Sequence, residues 1–417
     1  MALHLAKDER YVALVLALIR AGHVACPLSH RIPPRGVAPL LERAACSALI
    51  SDDEELLRTA GANLLRPKPG DLLREGKQFA APVDIPVERP ATVIFTSGST
   101  GVPKAALHTF GNHYYSALGS NANIALRPGD RWLHSLPLYH VGGLSILFRC
   151  LLAGATVALP QQGTPPGEAI AGFCATHVSL VSTQLLKLLR EDSDLRGLET
   201  VLMGGGPIPA SLVDEAVARG LPVHTSYGLT EMASQVTTTP PGASLKELRT
   251  AGRVLPNREV AISESGEILV RGETLFAGYV DGAELDLPLD ADGWFHTGDF
   301  GELHKNGYLR VRGRRDNLFV SGGENIQPEE IEEALCRLEG IEEAVVVPVS
   351  DEEFGARPVA FVRTDDLKPG DLAHELEPVL PRLKIPISFH PWPEEAPRGL
   401  KADRMALGER ALRLRNG

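Results

Sequence analysis

Between Val93 and about Glu302, short runs of β-branched and aliphatic residues alternate with stretches of helical character. The apolar runs are VIFT, ATVALP, HVSLVST, TVLMGGG and PVHTSYG, and the helical stretches lie at 109–122, 184–191 and 209–219. Such alternation is typical of βαβ units, because two parallel strands can be joined only by a crossover connection. We therefore predict an α/β fold with a large N-terminal domain built on mostly parallel sheets.

From Glu267 onwards the strands become shorter, as in EILVRG, GYLRVRG and LFVSGG, which favours antiparallel hairpins and a small distorted β-barrel-like region. After Gly313 the pattern predicts a helix at 328–338, strands at 343–349 and 358–363, and a helix near 371–383. These elements indicate a small, mobile α+β domain. We therefore predict domains at 1–313 and 317–417 with a hinge near Asp316, and a loop at 240–248.

Composition limits the classes of partner. The 417-residue chain carries a net charge of −11 and no basic block, so a nucleic-acid partner is excluded. The five cysteines are widely spaced and form no CxxC pair, which indicates buried free thiols in a reducing cytoplasm rather than disulfides or zinc. The sequence leaves the oligomeric state open, a homo-oligomer included.

The first apolar run, YVALVLALI at 11–19, has nine residues. A membrane-spanning helix needs about 20 apolar residues. Acidic Asp8 and Glu9 precede the run and Arg20 ends it, which is also unlike a secretion signal. We predict an amphipathic helix, a turn at Ala21-Gly22 and a short strand, with no membrane span.

The stretch TSGSTGVPK at 96–104 combines glycines, hydroxyl residues and a lysine directly after an apolar run. Glycines let the backbone approach a ligand closely, and successive N–H groups in such a turn form an anion-binding nest. The stretch is not a Walker P-loop, because Pro103 precedes Lys104 and no hydroxyl residue follows it. It predicts a polyphosphate-binding loop whose cation is Lys104.

Six further segments carry residue types suited to ligand binding, although each alone has an ordinary structural explanation. They are SLPLYHVGG at 135–143, GGGP at 204–207, YGLTE at 227–231, HTGDFGEL at 296–303, GRRDNLFVSGGENIQPEEIE at 313–332 and PRGLKADR at 397–404. Glu231 could hold Mg²⁺, which prefers carboxylate and phosphate oxygens. Asp299, predicted in a glycine-flanked turn, could accept both hydroxyls of a ribose.

Together and in this order, the segments resemble the adenylate-forming superfamily of acyl-CoA synthetases, adenylation domains and luciferases. The resemblance extends from about residue 11 to the end of the chain. It implies a two-step reaction in which a carboxylate attacks the α-phosphate of ATP·Mg²⁺, and the thiol of coenzyme A then displaces AMP. It implies no tightly bound cofactor beyond these co-substrates.

The resemblance also implies roles for individual residues. The phosphates would be bound by Thr96, Ser97, Gly98, Ser99, Thr100, Gly101 and Lys104, and the adenine and ribose by Gly204, Gly205, Gly206, Pro207, Tyr227, Gly228, Asp299 and Arg314. Catalytic positions would be Lys401, Thr230, Glu231 and His140, with Glu231 also holding Mg²⁺. Asp316 would be the hinge, and Gly322 and Gly323 would serve the coenzyme A step.

Within the superfamily, stretches such as SLPLYHVGGLSILFRCL and SYGLTEMASQ look like the o-succinylbenzoate–CoA ligases of menaquinone biosynthesis. The acyl-pocket candidates are then His140, Thr183, Gln184, Ser226 and Ser234. Two alternatives stay open at this stage: another aryl- or fatty acyl-CoA ligase, and a nucleotide-binding pseudoenzyme. The resemblance further implies about 40–60 residues ahead of the 11–19 helix, so either the start is placed late or the first subdomain is trimmed.

Overall fold

The computed structural model describes residues 1–30, 32–61, 64–69, 82–96, 103–364, 368–393 and 404–416, and its strands form six sheets within those ranges. The largest sheet has seven strands. In spatial order they are Arg253–Val254, Ser234–Thr238, Val223–Leu229, Thr200–Met203, His177–Leu180, Arg131–Leu133 and Thr156–Ala158. The last five are mutually parallel and the first two are antiparallel additions, which confirms the predicted α/β class.

Helices cover the large sheet because its central strands are apolar on both faces, as in the fully buried strand Thr200–Met203. The helices of this part of the chain are Phe110–Asn123, Val141–Ala153, Pro166–Gly172, Ser182–Arg190 and Ala210–Ala218. A core of Leu, Val, Ile and Ala side chains fills the space between one helix layer and the sheet. The carboxyl ends of the parallel strands therefore meet at one edge, where open α/β sheets bind their ligands.

Two antiparallel four-stranded sheets lie beside the large sheet. One has the order Glu284–Asp286, Gly278–Asp281, Lys104–Thr109, Pro90–Thr96, and the other the order Arg258–Ile262, Glu267–Gly272, Phe295–Leu303, Leu309–Arg314. The VIFT run therefore belongs to an antiparallel sheet, and its assignment to the parallel βαβ series was wrong. The reason is that VIFT pairs with the strand that follows the predicted phosphate loop.

A small parallel sheet stands at the N-terminus, in the order Cys26–Pro27, Ala2–His4, Leu49–Ser51. Its helices are Glu9–Arg20, Pro34–Arg43 and Glu54–Thr59. The first confirms the amphipathic helix predicted at 11–19: Asp8 caps its N-terminus and the Tyr11 and Val15 side chains are buried. Among the described residues, no helix is long and apolar enough to cross a membrane.

The C-terminal unit has its own cores on the two faces of a three-stranded sheet, Glu343–Asp351, Gly355–Arg363 and Phe389–Pro391. A hairpin of Phe319–Ser321 and Glu324–Ile326 precedes it. Its α-helices are Pro328–Leu335, Pro369–Leu376 and Arg404–Asn416, and short 3-10 turns lie at Arg315–Asn317 and Arg382–Lys384. The predicted α+β character is confirmed, and the predicted helices are each shorter than expected.

Two smaller expectations were wrong. The segment predicted as a loop at 240–248 contains a one-turn helix, Leu245–Leu248, whose first turn is capped by the Glu247 carboxylate on the backbone N–H of Ser244. All five thiols are free, as expected, but Cys174 is exposed and Cys46 and Cys336 are only partly buried. A single cysteine in a surface loop gives no hydrophobic period from which its exposure could be read.

Candidate functional site

The GGGP segment, Gly204–Pro207, directly follows the parallel strand Thr200–Met203 and therefore lies at the carboxyl edge of the sheet. Two hydroxyls hold it in place: Ser226 Oγ donates to the Met203 carbonyl at 2.7 Å, and Ser182 Oγ donates to the Pro207 carbonyl at 2.7 Å. Gly205 has a φ of +83°, a left-handed conformation that favours glycine. The segment is thus a fixed backbone surface suited to a planar ring.

Tyr227 and Asp299 come together at the same edge from different sheets. The Tyr227 hydroxyl donates to Asp299 Oδ2 at 2.7 Å, and Arg314 Nε lies 3.8 Å from Asp299 Oδ1. Asp299 is 9% exposed. Burial and the neighbouring Asp299 carboxylate raise the pKa of Tyr227 well above its usual value, so the phenol remains a donor.

Asp299 does not lie in a turn, as predicted, but within the strand Phe295–Leu303. Gly298, at a φ of +72°, and a register shift after Phe300 interrupt the ladder around it. Asp299 is also the register partner of Arg314 on the next strand. The sheet therefore fixes the aspartate and the arginine as cross-strand neighbours, and the glycine flanks reflect the irregular strand.

The YGLTE segment leaves its strand through a 3-10 turn, Thr230–Met232, that presents the Glu231 carboxylate. His108 Nε2 donates to the Thr230 carbonyl at 2.7 Å, and the Phe276 backbone N–H donates to the Glu231 carbonyl at 2.8 Å. A Cβ on Gly228 would lie 2.1 Å from the Ser234 carbonyl oxygen. Only glycine lets the two strands approach so closely at this bulge.

Lys104 begins the strand Lys104–Thr109 and is the register partner of Thr96. Its ammonium lies 4.8 Å from the centroid of the Tyr279 ring, and the Tyr279 hydroxyl donates to Glu231 Oε1 at 2.6 Å. Lys104 and Glu231 are therefore bridged by one side chain. The predicted phosphate-binding residues Ser97, Gly98, Ser99, Thr100 and Gly101, and the predicted catalytic Lys401, lie outside the described residues.

Glu231 supplies a carboxylate and Thr230 a hydroxyl, and both are the hard oxygen ligands that Mg²⁺ prefers. In the described part of the chain, no group of three or more His, Cys, Asp or Glu side chains is placed to hold a metal ion. This donor set suits Mg²⁺ that arrives with a nucleotide, since such Mg²⁺ usually takes one or two carboxylates together with phosphate oxygens.

The predicted acyl-pocket residues differ in how their polar atoms are used. His140 is an exposed N-cap residue of the helix Val141–Ala153. Gln184 Oε1 accepts from the Val181 N–H at 3.0 Å and so caps the helix Ser182–Arg190. Thr183 Oγ1 is buried without a hydrogen-bond partner among the described residues.

Ser234 is in contact with Arg149, to which the sequence pattern assigned no role. Arg149 is 1% exposed and donates to Ser234 Oγ at 3.2 Å. Its guanidinium lies 5.1 Å from the Trp132 ring centroid, and its Nε has no hydrogen-bond partner among the described residues. Burial lowers the pKa of Arg149 to about 10. Its signal in the sequence was a single arginine inside the apolar helix VGGLSILFRCLLA.

The predicted hinge residue Asp316 is exposed in the short turn Arg315–Asn317 and accepts from Arg314 at 3.4 Å. Gly322 and Gly323 form the tip of the C-terminal hairpin, with φ values of +58° and +85°. The Gly322 N–H donates to the Phe354 carbonyl at 2.9 Å. Both glycines thus meet a backbone requirement of the hairpin turn.

Comparison with protein-family models gives two matches: AMP-binding enzyme over residues 1–280, and AMP-binding enzyme C-terminal domain over residues 330–392. The chain belongs to the AMP-binding enzyme family. Among curated members, it is 39% identical over 330 residues to 2-succinylbenzoate–CoA ligase of Bacillus pumilus, an alignment that covers 76% of this chain and 67% of the relative. The chain spans about two thirds of the length of the first curated relatives that it matches.

Two solved structures of this family share the fold. The o-succinylbenzoate CoA synthetase of Bacillus subtilis in complex with its acyl-adenylate intermediate superposes with a TM-score of 0.86 at 32% identity, covering 97% of this chain and 87% of that chain. The same synthetase in complex with ATP and magnesium ion gives a TM-score of 0.85 at 32% identity, covering 97% and 88%. These values confirm the large α/β domain and the small C-terminal domain.

Proposed function

We propose that the chain ligates o-succinylbenzoate to coenzyme A in two steps, with ATP and Mg²⁺ as co-substrates and an acyl-adenylate as intermediate. Pyrophosphate leaves in the first step and AMP in the second. The observation that carries the proposal is the meeting of Tyr227, Asp299 and Arg314 with Glu231 and Lys104 at one edge of the sheet, in a fold shared with a synthetase solved with ATP and with an acyl-adenylate.

The nucleotide would be bound by fixed groups. Asp299 and Arg314 are cross-strand neighbours, and the carboxylate is suited to accept both ribose hydroxyls. The backbone of Gly204, Gly205, Gly206 and Pro207, with Tyr227 and Gly228, would hold the adenine. Because the sheets fix these groups before any ligand arrives, little binding free energy is lost in arranging them.

The chemical difficulty is that a carboxylate must approach a triphosphate of the same charge. Holding the two in line supplies proximity, and placed cations offset the charge that develops in the transition state. Lys104 and the Mg²⁺ held by Thr230 and Glu231 would act on the pyrophosphate leaving group. Lys401 would act between the attacking carboxylate and the α-phosphate.

The acyl substrate is a dicarboxylate, so one carboxylate remains after the other is activated. A buried guanidinium without an acid partner is unfavourable unless an anion approaches it. Arg149, with Ser234 as its neighbour, would bind the second carboxylate. This favours o-succinylbenzoate over a fatty acid, whose apolar chain would leave Arg149 uncompensated, and His140, Thr183, Gln184 and Ser226 remain candidates for the rest of the pocket.

We further propose that residues 1–313 and 317–417 move as two bodies about Asp316, so that Lys401 serves the first step and the Gly322-Gly323 hairpin the second. The two family matches, which end at 280 and begin at 330, support this division.

Free thiols support a reducing compartment, and we place the enzyme in the cytoplasm.

The test is a panel of carboxylic acids assayed by acid-dependent pyrophosphate–ATP exchange and by thioester formation with coenzyme A. We expect o-succinylbenzoate to be the best substrate in both assays.

Lys401→Ala should lower the rate of pyrophosphate–ATP exchange about 10²–10³-fold and spare thioester formation from supplied acyl-AMP. The best turnover on a long-chain fatty acid would contradict the substrate, and absence of exchange with every acid would indicate a pseudoenzyme.

A further inference from the structure

Tyr279 is not among the residues to which the sequence analysis gave a role, yet it lies between two that were. It belongs to the strand Gly278–Asp281, which pairs antiparallel with Lys104–Thr109 and places Tyr279 opposite Ala106. Neighbouring strands thus hold Tyr279 and Lys104 at a fixed separation. The position of the tyrosine is set by the sheet, and does not depend on the loop before Lys104.

Tyr279 makes two different contacts with its two ends. The hydroxyl donates to Glu231 Oε1 at 2.6 Å, and the ring face lies 4.8 Å from Lys104 Nζ. Phe276 packs edge-on against the ring, with the centroids 4.7 Å apart at 71°. The ring is therefore clamped from the side, and its two functional ends have little freedom to move independently.

Each contact restricts a charged group that would act on the phosphates in the proposed function. Lys104 would do so directly, and Glu231 would do so by holding Mg²⁺. A hydrogen bond to Oε1 fixes the rotation of the Glu231 carboxylate and leaves Oε2 for a metal ion, as outer-shell partners of metal ligands commonly do. The ring face attracts the Lys104 ammonium through its quadrupole. The Tyr279 hydroxyl is the donor in this pair, because an ionised carboxylate can only accept.

We propose that Tyr279 is a positioning residue for the adenylation step, which couples the orientation of the Mg²⁺ carboxylate Glu231 to that of the phosphate cation Lys104. The inference rests on the proposed function. It goes beyond that function because it gives Tyr279 the task of orienting both the Glu231 carboxylate and the Lys104 ammonium. Its effect should be confined to the half-reaction that handles Mg²⁺ and pyrophosphate, since thioester formation from acyl-AMP needs neither.

Two substitutions separate the two contacts. Tyr279→Phe keeps the ring over Lys104 and removes only the donor to Glu231, whereas Tyr279→Leu removes both. A matched control exists elsewhere in the fold: the Tyr308 hydroxyl donates to Glu247 Oε1 at 2.6 Å, and Arg253 lies 4.6 Å from the Tyr308 ring centroid. Tyr308→Phe therefore also removes a hydrogen bond from a tyrosine hydroxyl to a glutamate, in a cluster where a cation lies over the ring. None of these three residues belongs to the proposed site.

The experiment measures the Mg²⁺ dependence of pyrophosphate–ATP exchange, thioester formation from supplied acyl-AMP, and calorimetric binding of α,β-methylene-ATP with and without Mg²⁺. For Tyr279→Phe, we expect the half-saturating Mg²⁺ concentration to rise about tenfold and the Mg²⁺-dependent gain in analogue affinity to fall. Tyr279→Leu should further weaken analogue binding about two- to fivefold. Thioester formation should stay within about twofold of wild type in both variants.

The proposal is overturned if Tyr279→Phe leaves the Mg²⁺ dependence unchanged, if both half-reactions fall together, or if Tyr308→Phe gives the same shift. These results differ from failure of the proposed function, in which the wild-type chain itself shows no acid-dependent exchange. In that event the calorimetric arm still decides, because Mg²⁺-linked binding of the analogue does not depend on which acid is activated.

Discussion

The large domain buries one arginine and the C-terminal unit partly buries another, and the two parts treat the charge in opposite ways. In the C-terminal unit, Arg404 is bound by Glu332 through hydrogen bonds of 2.6 and 2.8 Å, and it also donates to the Val346 carbonyl at 2.7 Å. In the large domain, Arg149 is more deeply buried and has no acidic partner among the described residues. One charge is neutralised within the fold and the other is not.

A third arginine shows that burial alone does not single out Arg149. Arg258 is 6% exposed and also lacks an acidic partner in the described ranges, but it donates to backbone carbonyls of Pro256, Gln235 and Ser116. Arg149 instead keeps an unpartnered Nε. Burial together with an unused donor distinguishes Arg149 from Arg258, and it supports the proposed role of Arg149 in binding a carboxylate.

The largest expected effect is that of Arg404→Met on stability. The substitution leaves the buried Glu332 carboxylate uncompensated. Because Arg404 is itself 25% exposed, we expect a loss of about 3 kcal/mol, the lower end of the range for buried pairs. Hydrogen exchange in the strands Glu343–Asp351 and Gly355–Arg363 should accelerate accordingly. The double variant Arg404→Met/Glu332→Leu should recover much of the loss, and unchanged exchange in the single variant would show that the pair does not stabilise this unit.

Arg149→Met should affect specificity more than stability. Because no acid loses its partner, we expect the free energy of unfolding to change by less than about 1.5 kcal/mol. The kcat/KM for o-succinylbenzoate should fall about 10²-fold, in line with the loss of a desolvated charge contact. For an analogue with a methyl group in place of the second carboxylate, the kcat/KM of Arg149→Met should stay close to that of the wild type.

Arg258→Met is the matched control for Arg149→Met. It leaves backbone carbonyls unpaired, so it should lower stability without changing the preference between the two acids. If Arg149→Met lowers kcat/KM equally for both acids, Arg149 does not bind the second carboxylate.

The effect that is smallest at neutral pH concerns histidines, which the large domain also buries uncharged. Burial lowers the pKa of His108 to about 4 and that of His134 to about 3. Because these values lie below the ordinary 6.5, the stability contributed by the neutral rings is complete above pH 6.5 and is lost as the pH falls towards 4. Each ring should contribute a slope of up to about 1.4 kcal/mol per pH unit.

Urea unfolding between pH 4 and 8 measures this dependence. His108→Gln, which keeps a donor near the Thr230 carbonyl, should flatten the slope. The wild-type chain, unfolded in parallel at each pH, gives the reference slope. An identical slope in His108→Gln would mean that His108 is not the titrating group.

Local patterns predicted much of the fold, and distant pairing explains most of what they missed. The strand Thr200–Met203 and the helix Ala210–Ala218 follow from apolar runs and helical periodicity. The VIFT run has the same composition as a parallel strand, and only its pairing with Lys104–Thr109 makes it antiparallel. A short apolar run does not by itself fix the direction of the strand that pairs with it.

The site shows the same division between local and distant information. Tyr227, Glu231 and Asp299 lie in recognisable segments, and the fold brings their segments to one edge. Arg149 and Tyr279 were missed because their meaning depends on partners far along the chain. An arginine in an apolar helix can face solvent or a buried serine, and only the packing against Ser234 decides between them.

Thr96 and Lys104 lie directly opposite each other on neighbouring antiparallel strands. The sheet therefore anchors both ends of the glycine-rich stretch side by side. Substitutions within the stretch between them would therefore leave the backbone of Lys104 in place. The affinity for the proposed pyrophosphate leaving group could then be changed by such substitutions, while the cation keeps its anchor in the sheet.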